Sequence, residues 1–169
     1  MEFPKIIATT AIRSTYKGES HGGAYIVDLE NEEYKQVIDW NKANIDCSGR
    51  GVDRGLRGIV FYDGNIYIAE SDEIFMYNQN FKLINSYINR YLKHCHEIFI
   101  INSKLYSTST GYNSILEFDL VSEKFVYGYY INFSGIKSRL NKFINPKGRI
   151  PRACPWGFHI YSLLIYFMF

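Results

Sequence analysis

Arg57-Gly58-Ile59-Val60-Phe61-Tyr62-Asp63-Gly64-Asn65-Ile66-Tyr67-Ile68 reads as an apolar strand, a two-residue polar turn and a second strand carrying a tyrosine. His96-Glu97-Ile98-Phe99-Ile100-Ile101-Asn102-Ser103-Lys104-Leu105-Tyr106-Ser107 repeats that order at an offset of 39 residues. The turns are Asp63-Gly64 and Asn102-Ser103. Asp-Gly in particular is a strong hairpin signal between apolar runs. Third strands follow, Glu73–Tyr77 matching Ser114–Phe118, and then fourth strands, Phe81–Tyr87 and Lys124–Tyr130. An earlier copy of the third and fourth strands stands at Ala24–Leu29 and Glu33–Trp40, and Asp28-Leu29 repeats as Asp119-Leu120.

Four short strands recurring at about 40 residues are the sequence signature of a β-propeller blade. A single four-stranded sheet cannot bury both of its faces, whereas sheets stacked around an axis bury both. That accounts for Ile98-Phe99-Ile100-Ile101, which is apolar without alternation. A plain antiparallel sandwich of similar hairpins is the alternative. The expected fold class is all-β, a partial propeller of about three four-stranded antiparallel blades, at about 6–40, 57–87 and 96–130. A propeller ring takes typically four to eight blades, so the chain reads as truncated.

Composition agrees. Ile, Tyr and Phe together number 49, and Ala and Leu only 16; β-branched and aromatic residues suit sheets, Ala and Leu helices. The net charge of +2 hides an asymmetry: residues 1–123 hold 12 Lys/Arg and 17 Asp/Glu, a net of −5, and residues 124–169 hold 7 Lys/Arg and no acid. Such a change marks a basic patch for an anionic partner or a misread end of the frame after Phe143. Cys47, Cys95 and Cys154 are odd in number and widely spaced, which supports neither a zinc ribbon nor a disulfide framework and fits a cytoplasmic setting. The N-terminus lacks the pattern of a signal peptide. The apolar tail Phe158–Phe169 is 12 residues long, too short to span a bilayer as a helix.

Ser48-Gly49-Arg50-Gly51-Val52-Asp53-Arg54-Gly55-Leu56-Arg57-Gly58-Ile59, Cys95-His96-Glu97-Ile98 and Ser109-Thr110-Gly111-Tyr112-Asn113-Ser114 together resemble a widespread, functionally uncharacterised family of bacterial propeller-like proteins, over roughly residues 20–130. The likeness to the six-bladed group of lactonases and strictosidine synthase-like proteins is looser. The resemblance implies a propeller and no particular activity. The domain reading is therefore a partial propeller over 1–133, a basic loop over 134–157, and an apolar strand over 158–169 that either starts a fourth blade or is a misread tail.

Candidate site residues follow from the alignment of the blades. The innermost strands begin at Arg57, His96 and His159, and three donors converging from successive blades suit an anion. The loop Gly49–Gly58 adds Arg50 and Arg54; glycines let backbone N–H groups approach an anion and arginine contacts it in a fork. The same glycines also suit a tight connection between blades. His94-Cys95-His96 places two imidazoles on one strand face, a two-ligand metal motif without a third ligand. The alternative for His96 is a structural hydrogen bond that locks neighbouring blades. The hydroxyls of Ser107–Ser114 either line a ligand face or satisfy turn backbone groups. No nucleophile elbow, P-loop or His-Glu-x-x-His motif occurs.

The function expected is a non-catalytic binding or scaffold module of unknown ligand. The alternative is a metal- or anion-assisted, lactonase-like enzyme acting in the central channel. Cofactors are unknown; a divalent metal has no complete ligand set. The partner is a small anion or a protein, and edge-to-edge self-association is compatible with open sheet edges. Nucleic-acid binding through 137–152 ranks last.

Overall fold

The computed structural model of the 169-residue chain describes residues 3–41, 55–130 and 140–142. Twelve strands and one three-residue 3-10 turn, Thr110–Tyr112, make up its regular structure. The first sheet is β1 (Lys5–Ala11), β2 (Gly22–Asp28) and β3 (Glu33–Asp39). The second is β4 (Ile59–Tyr62), β5 (Asn65–Ala69), β6 (Glu73–Tyr77) and β7 (Leu83–Ile88). The third is β8 (Ile98–Ile101), β9 (Lys104–Ser109), β10 (Ser114–Asp119), β11 (Lys124–Tyr130) and β12 (Leu140–Lys142). In each sheet neighbours in sequence are neighbours in space, and every pair is antiparallel.

The turns repeat as closely as the strands. Asp63 and Gly64 have φ of 47° and 72°, and Asn102 and Ser103 have 48° and 61°. Left-handed backbone at both turn residues matches the twist of a two-residue hairpin. The next turn but one is also shared. Asp28 Oδ1 accepts from the N–H of Glu30 and Asn31, Asn78 Oδ1 from Asn80 and Lys82, and Asp119 Oδ1 from Val121 and Ser122. A left-handed residue closes each of these turns, Glu32, Phe81 and Glu123. A side-chain acceptor that mimics a backbone carbonyl starts the turn three times at the same place.

Only the middle sheet has the expected four strands. In the first, β1 holds the place of β5 and β9, so among the described residues no inner strand lies before it. In the third, Leu140–Lys142 pairs along β11 as a fifth strand, inside the stretch expected as a basic loop.

The middle sheet is covered on both faces. Ile66, Ile68, Phe75 and Tyr77 pack with Ala24, Ile38 and Trp40 of the first sheet. Tyr67, Ala69, Ile74 and Met76 pack with Ile98, Leu105, Leu116 and Phe118 of the third. Two apolar faces on one sheet remove the alternation of a half-exposed strand. The outermost strand β7 is mostly exposed, as a rim strand should be. Among the described residues no helix is long and apolar enough to cross a membrane.

Candidate functional site

In an antiparallel meander the start of the first strand lies beside the end of the second. The entries to β4 and β8 therefore share one end of the molecule with the β1–β2, β5–β6 and β9–β10 connections. Backbone bonds tie that end together. Leu56 N–H donates to Thr10 at 3.1 Å, Arg57 N–H to Ala69 at 2.8 Å, Gly58 N–H to His96 at 3.1 Å and Cys95 N–H to Ser71 at 2.9 Å. Gly58 is required by the closeness of β4 and β8: a Cβ there would stand 2.7 Å from Ile98 N and 3.1 Å from Glu97 Cα.

An open groove of about 650 Å³ lies here, and Thr9, Arg13, Arg57, Gly58, His96 and Glu97 are among its lining residues. Arg57 is held at its backbone and at its side chain. Its carbonyl accepts from the Thr9 hydroxyl. Its Nη1 reaches the His96 ring, 3.0 Å from Nε2 and also within bonding range of Nδ1. A guanidinium only donates, so the imidazole nitrogen it engages acts as the acceptor.

The aligned positions Arg57 and His96 thus meet. His159, Arg54 and Arg50 lie outside the described residues. His94 departs from the expectation of a shared strand face with His96. Its φ is 53°, β8 begins only at Ile98, and the left-handed turn breaks the alternation that a strand would impose. The His94 ring instead has Nδ1 3.4 Å from Ser71 Oγ. Among the described residues no group of three or more His, Cys, Asp and Glu is placed to hold a metal.

Three hydroxyls at this end serve the backbone. Thr108 Oγ1 accepts from the N–H groups of His96 and Glu97 at 3.1 and 3.0 Å. Ser109 Oγ donates to Tyr91 O at 2.5 Å, and Thr110 Oγ1 donates to His94 O at 2.9 Å. Cys95 is fully buried, and desolvation pushes its thiol up to about 12, which leaves almost no thiolate for nucleophilic chemistry. The Lys93 ammonium pairs with Asp72 at 2.5 Å.

Thr9, Arg13 and Glu97 were not among the sequence candidates for a ligand site. Arg13 follows β1 two residues after Ala11, and by register Thr9 stands where Ala69 stands in the second sheet. Reading Lys5–Ala11 as a second strand would have placed Arg13 on the same end as Arg57.

No family model and no curated protein matches the chain. Among solved structures it is similar to a chain of the mitotic checkpoint complex, at a TM-score of 0.51 and 6% identity over 75% of this chain and 34% of that one. The chain is a partial β-propeller. Likeness also extends to the Neurospora crassa Pan2 WD40 domain, at a TM-score of 0.47 and 14% identity over 76% of this chain and 39% of that one. A virginiamycin B lyase from Staphylococcus aureus, solved with quinupristin in a catalytically inactive form, gives 0.43 and 15% over 69% of this chain and 40% of that one. The propeller chain thus spans 34–40% of the length of these solved chains. At such identities the likeness concerns the fold alone, and fold does not carry activity.

Proposed function

We propose that this partial propeller is a binding module that takes a small anion, a carboxylate or a phosphate, in the groove between its inner strand ends. One observation carries the reading. Arg57 is fixed by backbone bonds, by the Thr9 hydroxyl and by His96 at the wall of a groove that Arg13 also lines. A guanidinium held in place loses little freedom on binding and offers a planar fork of donors. Glu97 lines the same groove, which assigns the anionic end of the ligand to the side of the two arginines. The lactonase-like alternative has no separate observation in its favour.

The finer kinship, to the uncharacterised bacterial propeller-like family, rests on the stretches 48–59, 95–98 and 109–114. We further read residues 1–133 as one propeller section, residues 134–157 as a basic segment and residues 158–169 as a strand-forming end, in a cytoplasmic protein whose remaining blades are supplied from outside the section. Titration calorimetry of the 169-residue chain with inorganic phosphate and with citrate tests the ligand reading. Saturable heat that Arg57→Ala abolishes supports it. No heat with either anion, or equal heat from the variant, removes it, and turnover of a lactone lost in His96→Ala would move the assignment to the enzyme.

A further inference from the structure

The first and third sheets each carry a face turned away from the two cores, and these faces are the two halves of a contact the chain already makes internally. The middle sheet meets the third with Tyr67, Ile74 and Met76, and the third answers with Leu105, Leu116 and Phe118. In the third sheet Tyr106, Ile115 and Glu117 occupy the positions of Tyr67, Ile74 and Met76. Phe99 lies opposite Tyr106 and, like Ile6, stays partly in solvent, at 45% and 43% exposure. In the first sheet Ile6, Tyr25 and Val27 occupy the positions of Leu105, Leu116 and Phe118, with Ile6 opposite Val27 and Ala8 opposite Tyr25. One free face therefore has the donor pattern of the internal contact, and the other has its acceptor pattern.

We propose that a second copy of this chain covers both faces, the first sheet of each copy docking on the third sheet of the other, so that two chains close a ring of six sheets. The contact is head-to-tail, and such contacts form rings when the rotation closes. Counting selects two copies. The described residues of one chain form three sheets, fewer than the four to eight of a typical ring, and two such sets make six whereas three make nine. Glu117 is the charge set into this face, at 4% exposure. Lys104 Nζ stands 3.0 Å from one of its oxygens and the Tyr129 hydroxyl donates to the other, so docking leaves this carboxylate paired. This inference does not depend on the groove ligand.

Light scattering on the full 169-residue chain, over a wide concentration range and without added anion, tests it. The expected mass is twice 19.8 kDa. Ile6→Glu and Phe99→Glu, both at exposed positions, should each raise the dimer dissociation constant at least about tenfold. An equal mixture of the two variants should recover dimer, because one of its two interfaces is built from unaltered faces. Ile6→Ser and Phe99→Ser replace any glutamate variant whose circular dichroism departs from the parent. A monomer at every concentration overturns the proposal, as does coverage of the faces by residues 143–169 of the same chain, which gives that result. Loss of dimer in only one of the variants would mean a symmetric contact instead, and growth into open polymers would mean that the ring does not close.

Discussion

Arg57 and His96 stand 39 residues apart at the same position of two consecutive blades, and their side chains meet, Nη1 of the arginine 3.0 Å from Nε2 of the histidine. The Gly58 N–H donates to the His96 carbonyl beside them. The two inner strands are thus joined at their entries by one backbone bond and one side-chain contact. The contact also aims the guanidinium, so the link between blades and the ligand reading share a residue.

Substitutions separate the two roles. Arg57→Lys keeps the charge but replaces a planar fork with a single flexible ammonium. It should weaken phosphate or citrate binding about tenfold, the order of one charge-assisted hydrogen bond, while circular dichroism stays as in the parent. His96→Phe removes the acceptor that orients the guanidinium and should weaken binding to a smaller degree. Calorimetry on both variants checks the order; His96→Phe being the more damaging would make the imidazole, not the guanidinium, the main ligand contact.

Gly58→Ala addresses the join directly. The methyl group would press against Ile98 N and Glu97 Cα, both backbone atoms, which cannot rotate aside as a side chain can. Overpacking of this kind costs about 1–3 kcal/mol. Urea unfolding should show a lower midpoint with an unchanged slope. A midpoint equal to that of the parent would mean that β4 and β8 separate at little cost.

The repeat was legible because its signals are local. Asp63-Gly64, Asn102-Ser103 and the Asp-Leu pairs at 28–29 and 119–120 fix turns within a few residues, and turns fix antiparallel neighbours. β1 was not legible. Its partner β2 begins only at Gly22, after a connection of ten residues with no hairpin pair, so nothing nearby marks it as the second strand of a blade. The equivalent placing of Arg57 and His96 was legible from the 39-residue offset, but the contact between their side chains was not, because an offset carries no side-chain geometry. The separation of His94 from His96 was not legible either, because a single left-handed residue ahead of a strand leaves no trace in a pattern of apolar and polar residues.

Cys95 should be inert in the folded chain. Burial pushes its thiol up to about 12, with Thr108 and Arg57 opposing and Glu97 and Glu70 adding to the rise. At pH 8 the thiolate fraction is therefore small, and the fully buried sulfur is closed to reagents. Peptide mapping after alkylation with iodoacetamide should find Cys95 unmodified in native buffer and modified in urea. Equal labelling in both would show that this end of the third sheet opens freely.

Acid sensitivity should trace to the two aspartates that start equivalent turns. Asp28 is lowered from 3.8 to about 2, first by its bond with Lys5 and then by those from Asn31. Asp119 is lowered from 3.8 to about 2, first by the Ser122 N–H and then by Lys104 and the Ser122 hydroxyl. A carboxyl whose folded pKa is depressed contributes stability that is fully present above its unfolded value and lost as pH falls through the folded one. The window therefore runs from 3.8 down to about 2. Urea midpoints taken across that window should fall steeply for the parent chain. The double variant Asp28→Asn and Asp119→Asn keeps an amide oxygen for each turn but has no carboxyl to titrate, so it should start lower and fall less. Equal slopes for the two chains would place the acid sensitivity in other carboxylates.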